Sequence, residues 1–162
     1  MAGRIVQTAE LADMLDEPAV LFGLDLGTKT IGVALSDRGR RIASPLSLIE
    51  RRKFTIDVAA LTRLAAMHAA AAYIVGLPLN MDGSEGPRAQ STRAFARNFA
   101  RQTERAIGLW DERLSTAAVE RELIGLDMSR ARRAEVIDEH AAIFILQGAL
   151  DRLAVLCRSR ID

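Results

Sequence analysis

The segment from Leu21 to Asp37, LFGLDLGTKTIGVALSD, has two apolar runs separated by a turn that contains Gly27. This pattern predicts a β-hairpin. The first strand carries one carboxylate, Asp25, near its end. An ionised carboxylate inside an apolar strand is costly unless it is paired or binds a metal ion. We therefore expect other parts of the chain to supply a partner for Asp25.

The residues after this hairpin predict helices that alternate with strands. A third strand completes a meander, and a helix between two strands favours parallel pairing. We therefore expect an α/β fold with a mixed five-stranded sheet, made of a three-strand antiparallel meander plus two parallel strands, and helices on both faces. The predicted elements are strands at Val20–Leu26, Thr30–Ser36 and Ile42–Ile49, a helix at Thr55–Ala72, a strand at Tyr73–Leu77, a helix at Arg88–Arg105, a strand at Ile107–Trp110, a helix at Thr116–Ile124 capped by Ser115, and a last helix at Glu135–Arg158.

The residues before the hairpin, 1–18, are predicted to form an N-terminal arm. Thr8 to Leu15 can form one or two helical turns, and Glu17-Pro18 ends them before the first strand. The arm is either a cap on the domain or a loose extension.

Composition excludes several classes of protein. The chain has 162 residues, of which 49% are hydrophobic and 27% charged, with a net charge of +1, as in an ordinary globular domain. Its single cysteine, Cys157, excludes an intramolecular disulfide. The N-terminus lacks the layout of a signal peptide, and no apolar run is long enough to span a bilayer. We therefore expect a cytoplasmic protein without a membrane partner.

Three acids stand where a carboxylate is costly. Asp25 is in an apolar strand, and Glu112, beside Asp111, ends a short strand. Asp138 is predicted in the first turn of the last helix, on its core-facing stripe. Strand ends and a helix N-terminus can converge on one edge of such a sheet. Three carboxylates there would form a hard-oxygen site for Mg²⁺ or Mn²⁺, which suits phosphodiester hydrolysis.

Each acid also has a simpler explanation. Asp25 can cap the turn at Thr28. Glu112 can pair with Arg113, and Asp138 can face the dipole of its helix. The residues alone leave both interpretations open, although the simpler one needs three unrelated causes.

Five segments follow one another in an order that is typical of one family. They are GLDLGTKTIGVA (23–34), ASPL (43–46), VGLPLNMDGS (75–84), DERLST (111–116) and IDEHAA (137–142), with Leu146-Gln147 after them. With these segments the chain resembles the YqgF-type pre-16S rRNA nucleases, which are also described as Holliday-junction resolvase-like. The resemblance covers about Leu21 to Arg152.

This resemblance implies a single RNase H-like nuclease domain over residues 19–162 and a role in maturing the 5′ end of 16S rRNA in the bacterial cytoplasm. The partners would be pre-16S rRNA within a pre-ribosomal particle, or branched DNA, and the protein would act as a monomer or a homodimer. The family's acidic positions match Asp25, Glu112 and Asp138, which are thus the expected catalytic residues and ligands of Mg²⁺ or Mn²⁺.

One position departs from the related junction resolvases. The strand that ends at Gly76-Leu77-Pro78 has no acid where those enzymes carry a glutamate. Glu112, one strand later, would have to take its place.

Basic and polar side chains near the expected site are candidate contacts to nucleic-acid phosphates. They lie in loops or connectors that should flank the acids, and they are Lys29, Asn80, Arg113, Arg130, Arg132 and Arg133.

Other functions remain open beside an RNA nuclease. The segment Asp25 to Lys29 looks like the first phosphate loop of actin-like ATPases, but those proteins need a second domain. A DNA junction resolvase would need a dimer to cut two strands symmetrically. A non-catalytic ribosome-assembly factor would keep the fold without the chemistry.

Overall fold

The computed structural model describes residues 2–161, apart from the side chains at 116–118, 138–139 and 160–161. Within this part of the chain the strands are β1 (Ile5–Val6), β2 (Val20–Leu26), β3 (Thr30–Ser36), β4 (Ala43–Glu50), β5 (Ala70–Leu77) and β6 (Ala106–Asp111). The helices are α1 (Thr8–Met14), α2 (Phe54–Met67), α3 (Pro87–Ala100), α4 (Glu112–Gly125), α5 (Arg130–Glu139) and α6 (Ala141–Ile161).

The strands form one mixed sheet in the order β1-β6-β5-β2-β3-β4. β2, β3 and β4 make the antiparallel meander, whereas β5 is parallel to β2, β6 to β5 and β1 to β6. The mixed α/β fold is therefore confirmed, but the predicted strand count was one too low. The carboxyl ends of β2, β5 and β6 lie at the same edge of the sheet, because the three strands run in the same direction.

The extra strand belongs to the N-terminal segment. Ile5 and Val6 pair with Ile107 and Gly108 of β6, and Leu11 of α1 is fully buried. This segment caps the sheet edge and is not a loose extension. A strand of two residues is too short for its alternation to be recognised in sequence.

Hydrophobic clusters cover both faces of the sheet, as neighbouring side chains of a strand point to opposite faces. On β2, Phe22 packs with Tyr73 and residues of α2 and α3, while Leu21 packs on the opposite face with Leu146 and other residues of α6 and α1. Helices therefore lie on both faces, as predicted.

Gly23 brings α6 very close to the sheet. A Cβ at this position would lie only 2.6 Å from Cβ of Leu146 and 2.9 Å from the carbonyl oxygen of Ala142. α6 therefore crosses directly over β2, and the same face of β2 carries Asp25 two residues later.

Several predicted helix bounds were wrong. α2 ends at Met67 and not at Ala72, because Ala69 adopts a left-handed conformation with φ 51° and turns the chain into β5. α4 is capped by Asp111, whose side chain accepts the Arg113 backbone N–H, and not by Ser115.

The predicted last helix is two helices, α5 and α6, whose axes differ by 74°. α5 begins earlier than predicted, since Ser129 is its N-cap and the basic stretch 130–133 is helical rather than a connector. Asp138 is consequently in the last turn of α5 and not in a first turn. No single described helix is long and apolar enough to cross a membrane; α5 and α6 pass that criterion only as a bent pair, and α6 packs against the sheet.

Candidate active site

Asp25 lies one residue before the end of β2, on the face that α6 covers. Its cross-strand partner is Gly32 of β3. A Cβ on Gly32 would be 3.6 Å from Cβ of Asp25 and 3.5 Å from Cβ of Ala142. Cross-strand partners present their side chains to the same face. Glycine at position 32 therefore leaves space beside the Asp25 side chain, under the start of α6.

Glu112 is the first residue of α4 and reaches back over β5. Its backbone position is set by Asp111, which ends β6 and caps α4. Oε1 of Glu112 lies 2.5 Å from the point where a Cβ on Gly76 would be. Gly76 is opposite Trp110 in the β5–β6 register. The Glu112 carboxylate can therefore occupy this position only because Gly76 has no side chain.

Asp25 and Glu112 line one cleft of about 420 Å³, which we call the acidic cleft. It lies at the carboxyl ends of the parallel strands, where α/β sheets commonly bind ligands. Its lining includes Asp25, Thr28, Arg88, Glu112, Ile137 and Ile145.

The two carboxylates interact electrostatically. Burial and, next, the negative charge of Asp25 raise the pKa of Glu112 from 4.5 to about 7, against the opposing effect of Arg88. Repulsion between two nearby carboxylates is the situation that a cation relieves. A raised glutamate pKa in a cleft is also a common mark of a functional site.

A divalent cation fits this donor set. Mg²⁺ and Mn²⁺ prefer carboxylate oxygens, and Mg²⁺ is usually held by one or two carboxylates together with substrate phosphates. Asp25 and Glu112 supply that number. Among the side chains that the structure describes, no group of three potential His, Cys, Asp or Glu ligands is gathered.

Asp138 completes the predicted triad, but its side chain lies outside the described residues. Its helix does reach the site, because Ile137 and Ala141 on either side of it line the acidic cleft. The role of Asp138 as a third ligand stays a prediction.

Two of the predicted phosphate contacts organise the loop between β5 and α3. Arg113 donates to both oxygens of Asp111, at 2.7 Å from Nη2 to Oδ2, and to the carbonyl oxygen of Met81 at 3.1 Å. Asn80 donates to Oγ of Ser84 at 3.0 Å. Both residues lie at the edge of the sheet where the acidic cleft is. Their side chains already form hydrogen bonds within the protein.

Lys29 is exposed in the β2–β3 turn, immediately after Thr28 of the acidic cleft. The other three predicted contacts are on α5. Arg130 is exposed, and Arg132 forms an ion pair with Glu135 at 2.8 Å. Arg133 donates to the carbonyl oxygen of Met128 at 2.7 Å and so fixes the start of α5. These six positions remain predicted contacts, and none of them lines the acidic cleft.

Sequence reasoning missed Arg88 and Thr28, which do line the acidic cleft. Arg88 is the second residue of α3, directly after Pro87. The signal was present: a proline that opens a helix after a parallel strand places the next side chains at the functional edge of the sheet. Arg51, directly after β4, lies in a neighbouring cleft with Arg88 and Thr28.

Two solved structures of junction resolvases share this architecture. RuvC from T. thermophilus, solved with a Holliday junction substrate, superimposes with a TM-score of 0.54 at 11% identity, over 84% of this chain and 96% of that one. The yeast mitochondrial Holliday junction resolvase Ydc2 gives a TM-score of 0.53 at 11% identity, over 94% and 87%. At this identity the likeness establishes the RNase H-like resolvase fold.

Sequence similarity assigns the family. The family model described as RuvX, Holliday junction resolvase, matches residues 19–152, and the chain belongs to this family. Among curated relatives, a protein of Nitrobacter hamburgensis named "Putative pre-16S rRNA nuclease" is 65% identical over 159 residues, 98% of each chain. A protein of Rhodopseudomonas palustris strain TIE-1 with the same name is 71% identical over 139 residues, 86% of this chain and 87% of that one.

Proposed function

We propose that the protein is a divalent-metal-dependent nuclease that processes the 5′ end of pre-16S rRNA. The observation that carries this proposal is the meeting of Asp25 and Glu112 in one cleft at the carboxyl edge of the sheet. The names of the curated relatives support the substrate, and the family and fold support phosphodiester hydrolysis. The same proposal places the enzyme in the cytoplasm, on pre-ribosomal particles.

The residues of the site have separable roles in this proposal. Asp25 and Glu112 hold Mg²⁺ or Mn²⁺, with Asp138 as the predicted third ligand. A cation bound there would polarise the scissile phosphate and lower the pKa of the attacking water. Arg88 lies at the rim of the acidic cleft and provides a positive charge for a phosphate group.

A cleavage assay tests this function. We expect the purified protein to cut a structured pre-16S rRNA fragment in Mg²⁺ or Mn²⁺ and to lose at least 100-fold in rate with Asp25→Asn. The matched control is Asp127→Asn, the same substitution at an exposed left-handed position with φ 57°, which asparagine tolerates. Equal cleavage by wild type and Asp25→Asn would refute the mechanism.

A DNA junction resolvase is the second candidate, because the matching family model carries that description. The same preparation should be offered a four-way DNA junction at equal concentration. Symmetric junction cleavage by a dimer, without cleavage of the rRNA precursor, would favour this alternative. Binding to pre-ribosomal particles that survives loss of Asp25, Glu112 and Asp138, without any cleavage, would instead indicate an assembly factor.

A further inference from the structure

A second, smaller cleft adjoins the acidic cleft, and we call it the arginine cleft. Gly27, Thr28 and Arg88 line both. The arginine cleft is also lined by Arg51, Ser91 and Phe95. The lining thus includes two arginines and three hydroxyl-bearing residues (Thr28, Ser91 and Thr92), and it shares Gly27, Thr28 and Arg88 with the cleft that holds Asp25.

Arg51 is held rigidly at this place. Its Nη1 donates to the carbonyl oxygen of Gly27 at 2.7 Å, and its guanidinium carbon lies 5.7 Å from the centroid of the Phe95 ring. Its backbone N–H also donates to the carbonyl oxygen of Lys29 at 2.8 Å. One nitrogen of this guanidinium is hydrogen-bonded and its face packs on an aromatic ring, so its other N–H groups can donate to a planar or tetrahedral anion. Because the side chain is already fixed, binding costs little further side-chain entropy.

Arg88 complements Arg51 from the other side of the arginine cleft. Its side chain is exposed, and its positive charge also acts on Glu112 of the acidic cleft, whose pKa it lowers. Because Arg88 is in the first turn of α3, the helix dipole adds to its positive field. This arrangement suits an anion that arrives from solvent.

The size of the arginine cleft favours one phosphate group. Its volume is about 50 Å³. This exceeds the space of roughly 10–15 Å³ that a single bound water requires, and a small oxyanion such as phosphate can enter from the open side of the cleft.

We propose that the arginine cleft binds a backbone phosphate of the nucleic-acid substrate next to the phosphate that is cut. Arg51 and Arg88 donate to its oxygens, and Thr28 and Ser91 add hydroxyl donors. This inference rests on the proposed nuclease function for the identity of the ligand, and it explains how the strand is held in register across the two clefts.

Binding measured without cleavage tests the proposal. Fluorescence anisotropy with a short single-stranded RNA, in EDTA and over a range of salt concentrations, gives the slope of log K against log salt. We expect Arg88→Gln to reduce the slope by about 0.7, the value for one lost phosphate contact on a single strand. The matched control is Arg97→Gln on the same helix, an exposed arginine outside both clefts, which should leave the slope unchanged.

A second measurement covers Arg51, whose replacement can disturb the packing of Phe95. NMR of the arginine Nε–Hε groups during titration with inorganic phosphate should shift the signals of Arg51 and Arg88 in the unmodified protein and leave that of Arg97 in place. Equal slope losses for Arg88→Gln and Arg97→Gln, or phosphate shifts that spare Arg51 and Arg88, would overturn the proposal. Both readouts are independent of cleavage, so an inactive enzyme with an intact phosphate response would refute the nuclease function alone.

Discussion

The carboxylate of Glu112 lies directly over the α-carbon of Gly76, in the space that any side chain at position 76 would enter. The sequence resemblance implies that related junction resolvases carry a glutamate on the strand that corresponds to β5, which ends here at Leu77. Here the acid comes from the first turn of α4 and reaches the same region from the neighbouring strand. Gly76 and Glu112 therefore depend on each other, because the Glu112 carboxylate fits only where position 76 has no side chain.

This dependence predicts that Gly76→Ala displaces the Glu112 carboxylate and slows cleavage. The new Cβ would clash with Oε1 of Glu112 and with Cδ1 of Ile145. We expect at least a 10-fold loss of cleavage rate and a stability loss of about 1–3 kcal/mol from overpacking, measured by chemical denaturation. Gly125→Ala, where the added Cβ meets no atom within 4 Å, should keep both activity and stability.

The double variant Gly76→Ala/Ile145→Val relieves the shortest of these contacts, which is to Cδ1 of Ile145, and leaves the contact to Glu112. It removes Cδ1 of Ile145 and should recover part of the stability without recovering activity, because Glu112 is still displaced. Recovery of full activity would mean that the packing of Ile145, and not the position of Glu112, limits the reaction.

The raised pKa of Glu112 predicts a pH-dependent stability in the absence of metal. The pKa of this group is 4.5 when unperturbed and about 7 in the fold, so ionisation is harder in the folded state. The penalty is absent below pH 4.5 and complete above pH 7, where it is about 3 kcal/mol. Urea denaturation in EDTA should therefore show Glu112→Gln gaining stability over wild type as the pH rises from 4 to 8.

Two controls accompany that pH series. Asp127→Asn should follow wild type at every pH, since this exposed acid lies outside the clefts. Mn²⁺ at pH 8 should stabilise wild type more than Glu112→Gln. A stability difference between wild type and Glu112→Gln that does not change with pH would contradict the electrostatic description of the site.

The ion pair between Arg113 and Asp111 predicts a positioning role for Arg113. Hydrogen bonds from Arg113 lower the pKa of Asp111, and the same guanidinium donates to Met81 in the β5–α3 loop. Arg113→Gln should cost about 1 kcal/mol, as the pair is partly exposed, and should speed limited proteolysis within residues 79–86.

The same variant tests the sequence-based prediction that Arg113 contacts nucleic acid. Its guanidinium is already engaged, so we expect a smaller reduction of the salt slope for RNA binding than with Arg88→Gln. A reduction as large as that of Arg88→Gln, with unchanged proteolysis, would show that Arg113 acts mainly on phosphate.

The N-terminal segment should be part of the cooperative fold. Leu11 is fully buried in the cluster that α1 forms with α6 and the sheet, so Leu11→Ala should cost about 2–5 kcal/mol in urea denaturation. Met14 on the same helix is 45% exposed, and Met14→Ala should change stability by less than about 0.5 kcal/mol. Equally small losses of stability for Leu11→Ala and Met14→Ala would mean that the N-terminal segment can detach while the rest of the core stays folded.

The sequence alone predicted most of the sheet because long alternating runs such as Thr30–Ser36 carry a clear signal. It missed β1, which is two residues long, and the break between α5 and α6 at His140, where neither glycine nor proline interrupts the helical pattern. Such features are set by tertiary packing.

In the candidate site, too, some residues could be predicted from the sequence and others could not. Asp25 and Glu112 could be predicted, because an acid in an apolar strand and an acid at a strand end are visible as costly positions. The position of Arg88 was indicated only indirectly, by Pro87 at the start of a helix after a parallel strand. The space over Gly76 could not be predicted, since it depends on which side chain reaches over the sheet edge.

The proposed function requires that Asp25 and Glu112 share a divalent cation. Anomalous diffraction from crystals soaked in Mn²⁺, at a concentration that supports cleavage, tests it most directly. We expect an anomalous peak about 2.0–2.3 Å from an oxygen of each carboxylate, and its loss in Asp25→Asn. A peak elsewhere, or none between Asp25 and Glu112 in an actively cleaving enzyme, would contradict it.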